Sequence, residues 1–409
     1  MVIADVAPLI AGPTVVASPA GDYPRVFRRY LLRTLQLTLD QVRSSGDIVT
    51  ETVQNQVLHI LDFALRFDDA WPLLRELLFL LLPLIERLGE QRRWLPCFAQ
   101  ALPLCRRAHD REAEARFTWT LGVLSRRLGD LPAAERYLTQ SQTVATALAD
   151  QHLRASALTE LAYLLQMQHR LAEATALIQQ AHTLLPPDDP LRAPGYSVLG
   201  DVLFEEQQWG AAAAMTEQAI ALWTTHGQTL FTASGWRGLA RIRWRQGDVA
   251  AAVACYERAI ACYEERQERV QQAITCIGLG GLYAGLADGA QALGWLAQAE
   301  QILLPLGDTY HLAMLYTNYG IAYRLLRQWQ PAVDALQKSL AYSGELNDFA
   351  RQINSLTELA TVYHEWGKPT LAQQPLTQAQ NALNHLPDWP DAMHYQTVIA
   401  QMMPALLEQ

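Results

Sequence analysis

An all-α solenoid of stacked antiparallel helix pairs is the fold this sequence predicts, and three observations predict it. Small residues recur at a nearly fixed interval: Gly122, Ala162, Gly200, Ala240, Gly280, Gly320 and Ala360 are 40 residues apart, with one interval of 38. A second series runs twelve residues behind, through Ala134, Ala174, Ala212, Ala252, Ala292, Ala332 and Ala372. Between the two series, apolar positions follow helical rather than strand spacing, as in Leu239, Ala240, Ala252, Tyr256 and Ala259. A period of this length means repeated supersecondary units, each burying its apolar face only against its neighbours.

The elements can be taken in order. Residues 1–21 hold three prolines and no helical period, and read as an extended arm. The stretch from Met1 to Ala20 lacks a basic region and carries Asp5, so it does not read as a signal peptide. Residues 22–110 read as a helical region with one eroded repeat. There Phe27, Tyr30, Leu31, Leu35 and Leu39 are expected on one helix face. A second helix is expected over 49–65 and a third from Trp71 to about Leu88. Trp94-Leu95-Pro96-Cys97 echoes Trp329-Gln330-Pro331-Ala332 and marks the eroded unit. Seven pairs are expected over 111–388, and a capping helix over 389–409.

Within a pair, Gly129-Asp130 and Gly247-Asp248 mark the turn. Glycine takes the left-handed conformation that ends one helix, and the aspartate accepts from the free amides of the next. The small residues mark the helix crossing, where a larger side chain overpacks at a cost of about 1–3 kcal/mol.

Composition narrows the function. Half the residues are hydrophobic, which rules out wholesale disorder. Residues 1–135 are balanced in charge, so the whole net charge of −9 falls on 136–409. An acidic array argues against nucleic-acid binding, which needs a basic stripe. The basic residues are nearly all arginine, Lys338 and Lys368 being the lysines. Cys97, Cys105, Cys255, Cys262 and Cys276 form no CxxC, and their odd number argues against a disulfide framework. The longest apolar run, Leu77 to Ile85, is too short to span a bilayer. A soluble cytoplasmic protein with no membrane partner is expected.

The repeat resembles the tetratricopeptide repeat, whose signature places a Trp, Leu-Gly, Tyr, Ala, an aromatic and Ala at set offsets. Leu121-Gly122, Leu161-Ala162, Leu199-Gly200 and Leu279-Gly280 carry the likeness, with Tyr283, Tyr323 and Tyr363, and with Trp209 and Trp329. The usual unit is about 34 residues, and this one is 40. HEAT repeats share the longer period, but the Leu-Gly and Gly-Asp landmarks favour the tetratricopeptide reading. The resemblance implies a right-handed α-α superhelix with a concave groove lined by the first helix of each pair.

The long-repeat variety resembles that of bacterial peptide-responsive regulators and the sensor segments of signal-transduction ATPases. Arg25-Val-Phe-Arg-Arg-Tyr-Leu-Leu, Asn55, Trp71 and Arg93-Trp94 resemble the bridge before the repeats in those ATPases. No GxxxxGK[ST] is present, so an NTPase would be a separately encoded partner. The resemblance implies a protein- or peptide-binding scaffold or regulatory adaptor. The alternative is a ligand-responsive sensor that switches a separate enzyme or NTPase.

Family groove positions carried onto this sequence give Trp119, Arg126, Tyr163, Phe204, Arg237, Arg241, Trp244, Arg245 and Arg324 as candidate partner contacts. Arg237, Arg241 and Arg245, spaced by four, share a helix face beside Trp244 and can hold carboxylates. Asp201 and Glu205 hold the corresponding positions one repeat earlier, so ion pairing between repeats is an equally physical use of those charges. Trp119 and Trp244 are expected to be partly exposed, as partner anchors or as core.

Gly278-Leu-Gly-Gly-Leu-Tyr-Ala-Gly285 superficially matches a dinucleotide loop, but it has no preceding strand and reads as close helix packing. His364-Glu365 lacks the second histidine of a zinc-protease helix, and no GxSxG elbow is present. No catalytic residue, cofactor or metal is expected.

Overall fold

The computed structural model describes residues 23–45, 50–85, 91–386, 389 and 391–405. The arm expected over residues 1–21 lies outside the described residues. The described residues form helices and no strand, and the chain divides into two compact units, residues 1–187 and 188–409.

The first unit holds Tyr23–Ser45 (α1), Glu51–Ala64 (α2), Trp71–Ile85 (α3), Gln91–Arg107 (α4), Arg111–Arg127 (α5), Leu131–Ala147 (α6), Gln151–Met167 (α7) and Leu171–Thr183 (α8). A short 3-10 turn at Asp68–Ala70 leads into α3. Helices α1, α2 and α3 pack together, and α5 pairs with α6 and α7 with α8. Leu31, Leu35, Leu39 and Val42 of α1 face the core. Tyr30, expected on that same face, is 65% exposed on the far side of the helix. Its offset from Leu31 is one residue, about 100° of rotation, so it cannot share the face centred on Leu35. In α5, Glu114 is buried and bonded by Arg106, Arg111 and Gln140. Burial alone pushes its carboxyl up, but the two guanidiniums hold it below the usual range.

The second unit holds Arg192–Glu205 (α9), Trp209–Thr225 (α10), Thr229–Arg245 (α11), Val249–Glu265 (α12), Arg269–Gly285 (α13), Gly289–Leu306 (α14), Thr309–Leu325 (α15), Trp329–Glu345 (α16), Phe349–Glu365 (α17), Pro369–Leu383 (α18) and Ala392–Ala405 (α19). Pairs α9/α10 through α17/α18 stack in order, and first helices lie beside one another, as α13 does beside α15 and α15 beside α17. Helix α19 packs on α17 and α18, with Ile399 in their core. Thr317, Ser339 and Ser355 meet in a buried hydroxyl cluster at 2.8–3.0 Å, tying α15, α16 and α17 together. Glu300 of α14 accepts from the hydroxyls of Tyr316 and Tyr319.

The small-residue series does what the sequence predicts. Ala162, Ala240 and Ala360, and all seven alanines of the second series, are fully buried. A Cβ on Gly122 would lie 2.5 Å from Leu138 Cγ, and one on Gly320 2.4 Å from Leu336 Cγ. First helices thus present the small residue to the one sixteen positions on, which is Leu138 for Gly122, Leu296 for Gly280 and Leu336 for Gly320, but Thr216 for Gly200.

The turns carry a finer period than the sequence shows. Residues 109, 129, 149 and 169, then 207 and every twentieth residue to 367, all have positive φ, between 53° and 83°. One helix and one turn therefore repeat every 20 residues, most helices being 17 long, about 25 Å. Glycine fills five of these positions, and His109, Ala149, His169, Gln207, Gln267, Ala287, Arg327 and Asn347 fill the others. The left-handed cost, about 1–2 kcal/mol for a non-glycine residue, is offset by paired closing bonds such as Asp130 N–H to Ser125 O and Gly129 N–H to Arg126 O. The next residue is often an aspartate cap: Asp110, Asp130, Asp150, Asp248, Asp288, Asp308 and Asp348 each accept from the amide three residues on.

Candidate functional site

The repeat geometry fixes one contact between successive first helices. The residue four after the crossing residue reaches the next first helix, between the position two before that helix's crossing residue and the position five after it. In α15 this residue is Arg324, and it lies 3.4 Å from Glu358 and 2.8 Å from Glu365 of α17. Burial pushes Glu358 up, while Arg324 pulls it back down. In α5 the residue is Arg126, 3.0 Å from Glu160 of α7 and stacked over the Tyr163 ring at 4.3 Å. Arg126 and Arg324 are thus only 11% and 19% exposed, and each is already neutralised.

In α11 the same position is Trp244, and the two facing positions on α13 are Gly278 and Gly285. An added Cβ on Gly285 would lie 2.7 Å from the indole Cζ2. Where Arg324 meets Glu358 and Glu365, Trp244 packs against Gly285. In α9 the position is Phe204, whose ring meets Arg241 of α11 at 4.9 Å. Nothing lies within 4 Å of a Cβ built on Gly238. Of these three glycines only Gly238 leaves open space, while Trp244 covers Gly285 and Tyr256 lies against Gly278.

This stretch gathers five of the nine sequence-predicted residues: Phe204, Arg237, Arg241, Trp244 and Arg245. Trp244 is exposed, as expected. Arg237 donates to Gln271 Oε1 at 2.9 Å, Arg241 stacks over the Phe204 ring at 4.9 Å, and Arg245 lies over Trp244 at 6.0 Å. Among the described residues no carboxylate lies within ion-pair distance of Arg237, Arg241 or Arg245. The inter-repeat pairs from Arg241 to Asp201 and from Arg245 to Glu205, one of the two expectations from sequence, do not form. Arg241 takes the Phe204 face instead, and its charge only tempers Asp201, whose carboxyl burial holds above the ordinary range. Glu205 raises it further. Arg126, Tyr163 and Trp119 lie in the first unit, and Arg324 lies further along the second. Trp119 is half-buried, with its indole N–H buried and lacking an acceptor.

Sequence reasoning missed Tyr256. It holds the position that is Leu138, Leu296 or Leu336 in other pairs, but its longer phenol runs on beneath Gly278, where an added Cβ would lie 3.3 Å from the hydroxyl. Burial pushes that hydroxyl up, and the charges of Arg241 and Arg237 pull it the other way. A tyrosine at a leucine position, followed by a glycine two before the next crossing residue, was the available signal. The expectation of close packing along 278–285 holds for Gly280, which meets Leu296 at 3.0 Å. Gly278 and Gly285 instead clear space for Tyr256 and Trp244.

Asp201 gives a direct prediction. A carboxyl held above its unfolded value is charged at a cost at neutral pH, and that cost is relieved as pH falls through the raised value. Asp201→Asn should therefore raise the urea midpoint at pH 7 and remove the gain that the parent shows on mild acidification. An unchanged midpoint at pH 7 counts against this burial cost.

Burial pushes the thiols of Cys97 and Cys276 up to about 11 and that of Cys105 to about 12, with nearby carboxylates adding to it, which removes the reactive thiolate. Among the described residues no group of three or more His, Cys, Asp and Glu could hold a metal ion, and no helix is long and apolar enough to cross a membrane.

Paired helices, buried small residues at each crossing and first helices side by side define the tetratricopeptide-type helical solenoid. Residues 191–265 match the family model described as tetratricopeptide repeat. No curated protein matches the sequence. Among solved structures, the Rap conjugation gene regulator of the plasmid pLS20, in complex with a peptide, is similar at TM-score 0.56 and 15% identity, over 89% of this chain and 97% of that one. Aspartyl phosphate phosphatase F from Bacillus subtilis is similar at TM-score 0.54 and 13% identity, over 86% and 93%. A signal transduction ATPase with numerous domains from Pyrococcus horikoshii, bearing a tetratricopeptide repeat sensor, is similar at TM-score 0.54 and 13% identity, over 94% of this chain and 65% of that one.

Proposed function

We propose that the face formed by α9, α11 and α13 binds an extended peptide segment of a partner protein, and that the chain is a non-catalytic, cytoplasmic regulatory adaptor. One observation carries this reading: Arg237, Arg241 and Arg245 have no carboxylate within ion-pair distance among the described residues, whereas Arg126 and Arg324 are neutralised within the array. The open space at Gly238 admits a peptide main chain, Phe204 and Trp244 supply aromatic anchors, and the guanidiniums supply forked donors for carboxylates. The pLS20 regulator of similar fold is in complex with a peptide, and the archaeal ATPase carries its repeats as a sensor. The second supports the alternative of a sensor that switches a separately encoded enzyme or NTPase.

A random twelve-residue display library selected on the full chain tests the face. Selected peptides should bind at least about 10-fold more weakly to Trp244→Ala and to the Arg237→Gln, Arg241→Gln, Arg245→Gln variant, a loss typical of interface anchors. Equal binding by both variants removes this face as the site. Small-angle scattering on the same complexes separates the two readings, since a sensor changes curvature on binding and an adaptor does not. Turnover of a nucleotide or ester by the purified chain overturns the non-catalytic reading.

A further inference from the structure

Helix α1 is apolar on two opposite sides, and among the described residues only one side is covered. Leu31, Leu35, Leu39 and Val42 face α2 and α3 and are buried. Val26, Tyr30, Arg33 and Leu37, spaced by four, three and four, form a seam on the other side. Val26 is 38% exposed, Tyr30 65% and Leu37 61%. At about 100° per residue these four lie within about 60° of one line, roughly opposite the buried face. A helix that served only the bundle would carry polar residues there. The spacing is that of one strand of a helix-to-helix seam, and from Val26 to Leu37 it runs about 16 Å.

Charge decides what fits. Helix α1 carries Arg25, Arg28, Arg29, Arg33 and Arg43 against Asp40 alone. Arg28 is held by Asp69, and Arg43 by Asp40 and Glu76. Among the described residues no carboxylate lies within ion-pair distance of Arg25, Arg29 or Arg33, all of which are exposed. A second copy pairing through α1 would set these arginines against one another. A lipid surface needs a broad apolar face, and here only Phe27 widens the seam, at its N-terminal end, while Arg33 interrupts it. The sequence of residues 1–21 offers one acidic side chain, Asp5, against three unpaired arginines.

We propose that the outer seam of α1 docks an acidic amphipathic helix of another protein, with Val26, Tyr30 and Leu37 meeting its apolar stripe and Arg25, Arg29 and Arg33 meeting flanking carboxylates. This surface lies in the first unit, is distinct from the α9–α11–α13 face, and stands whether or not that face binds peptide.

Two synthetic 21-residue helical peptides test it, both with leucine at the seam positions, one flanked by glutamate and one by lysine. Hydrogen exchange on the full chain should show the glutamate peptide protecting residues 24–40, with at least 10-fold tighter binding than the lysine peptide. The Arg25→Gln, Arg29→Gln, Arg33→Gln variant should lose that preference, and Tyr30→Ser with Leu37→Ser should lose binding, with helical content unchanged by circular dichroism. Equal affinity for the two peptides overturns the proposal, as does protection away from α1. So does self-association abolished by Leu37→Ser, which makes a second copy the occupant. Binding that appears only after deletion of residues 1–21 makes the arm the occupant. Tighter association with phosphatidylglycerol vesicles than with the glutamate peptide makes it a membrane surface.

Discussion

Gly320→Leu is expected to destabilise the second unit by about 3 kcal/mol or more, the upper end of overpacking costs. A single Cβ at this position already meets Leu336 at 2.4 Å from Cγ, 2.6 Å from Cδ2 and 3.1 Å from Cδ1. Leu336 is fully buried between α15 and α16, and Thr317, one turn before Gly320, is fixed by the hydroxyl cluster. Neither helix can move away without breaking that cluster. Gly320→Ala should cost less, because about 1 kcal/mol of helix propensity is regained against the overpacking. Gly294 lies in the middle of α14 with nothing within 4 Å of an added Cβ. Gly294→Ala should therefore stabilise by up to about 1 kcal/mol. Urea unfolding of the three variants checks the series. A midpoint for Gly320→Leu equal to the parent's would mean that the crossing residues are not close-packed.

That series was legible because close packing leaves a compositional trace: only glycine or alanine fits where two helices cross. The twenty-residue turn period left a weaker trace. Its left-handed positions are held by backbone hydrogen bonds that any side chain tolerates at modest cost, so Gln207, Ala287 and Arg327 carry no glycine signal. The aspartate caps, as at Asp110, Asp130 and Asp150, were a readable signal of the same period. The candidate site was half legible. The sequence places Arg126 and Arg324 on first helices, but whether each is neutralised depends on a residue 34 to 41 positions later in the next pair. Glu160, Glu358 and Glu365 occupy those places, while beside Trp244 they are Gly278 and Gly285. Tyr30 was misplaced because apolar periodicity records that a face is apolar and not which partner covers it.

Phe117→Ala is expected to cost the first unit about 3–5 kcal/mol, the range for emptying a buried aromatic site. Phe117 is fully buried, and its ring meets Trp71 at 6.1 Å, Phe79 at 5.8 Å and Phe98 at 5.3 Å, each edge to face. One side chain thus joins α3, α4 and α5. The equivalent position, five before the crossing residue, is Ala157, Gly195, Gly235, Thr275, Leu315 and Ser355 in the later pairs, mostly small because each meets a regular second helix. Gly235 shows why: an added Cβ there would lie 2.6 Å from Ile220 of the preceding helix. Before α5 the neighbouring helices carry Pro83 in α3 and Pro96 and Pro103 in α4, and the Phe117 ring packs there among Trp71, Phe79 and Phe98. Phe117→Leu should cost less than Phe117→Ala, since it restores part of the volume while losing the edge-to-face contacts, worth about 0.5–1.5 kcal/mol each. Hydrogen exchange should place the lost protection in α3 to α6. A small loss spread evenly over the described helices would mean that this ring is not the joint between α3, α4 and the first repeat.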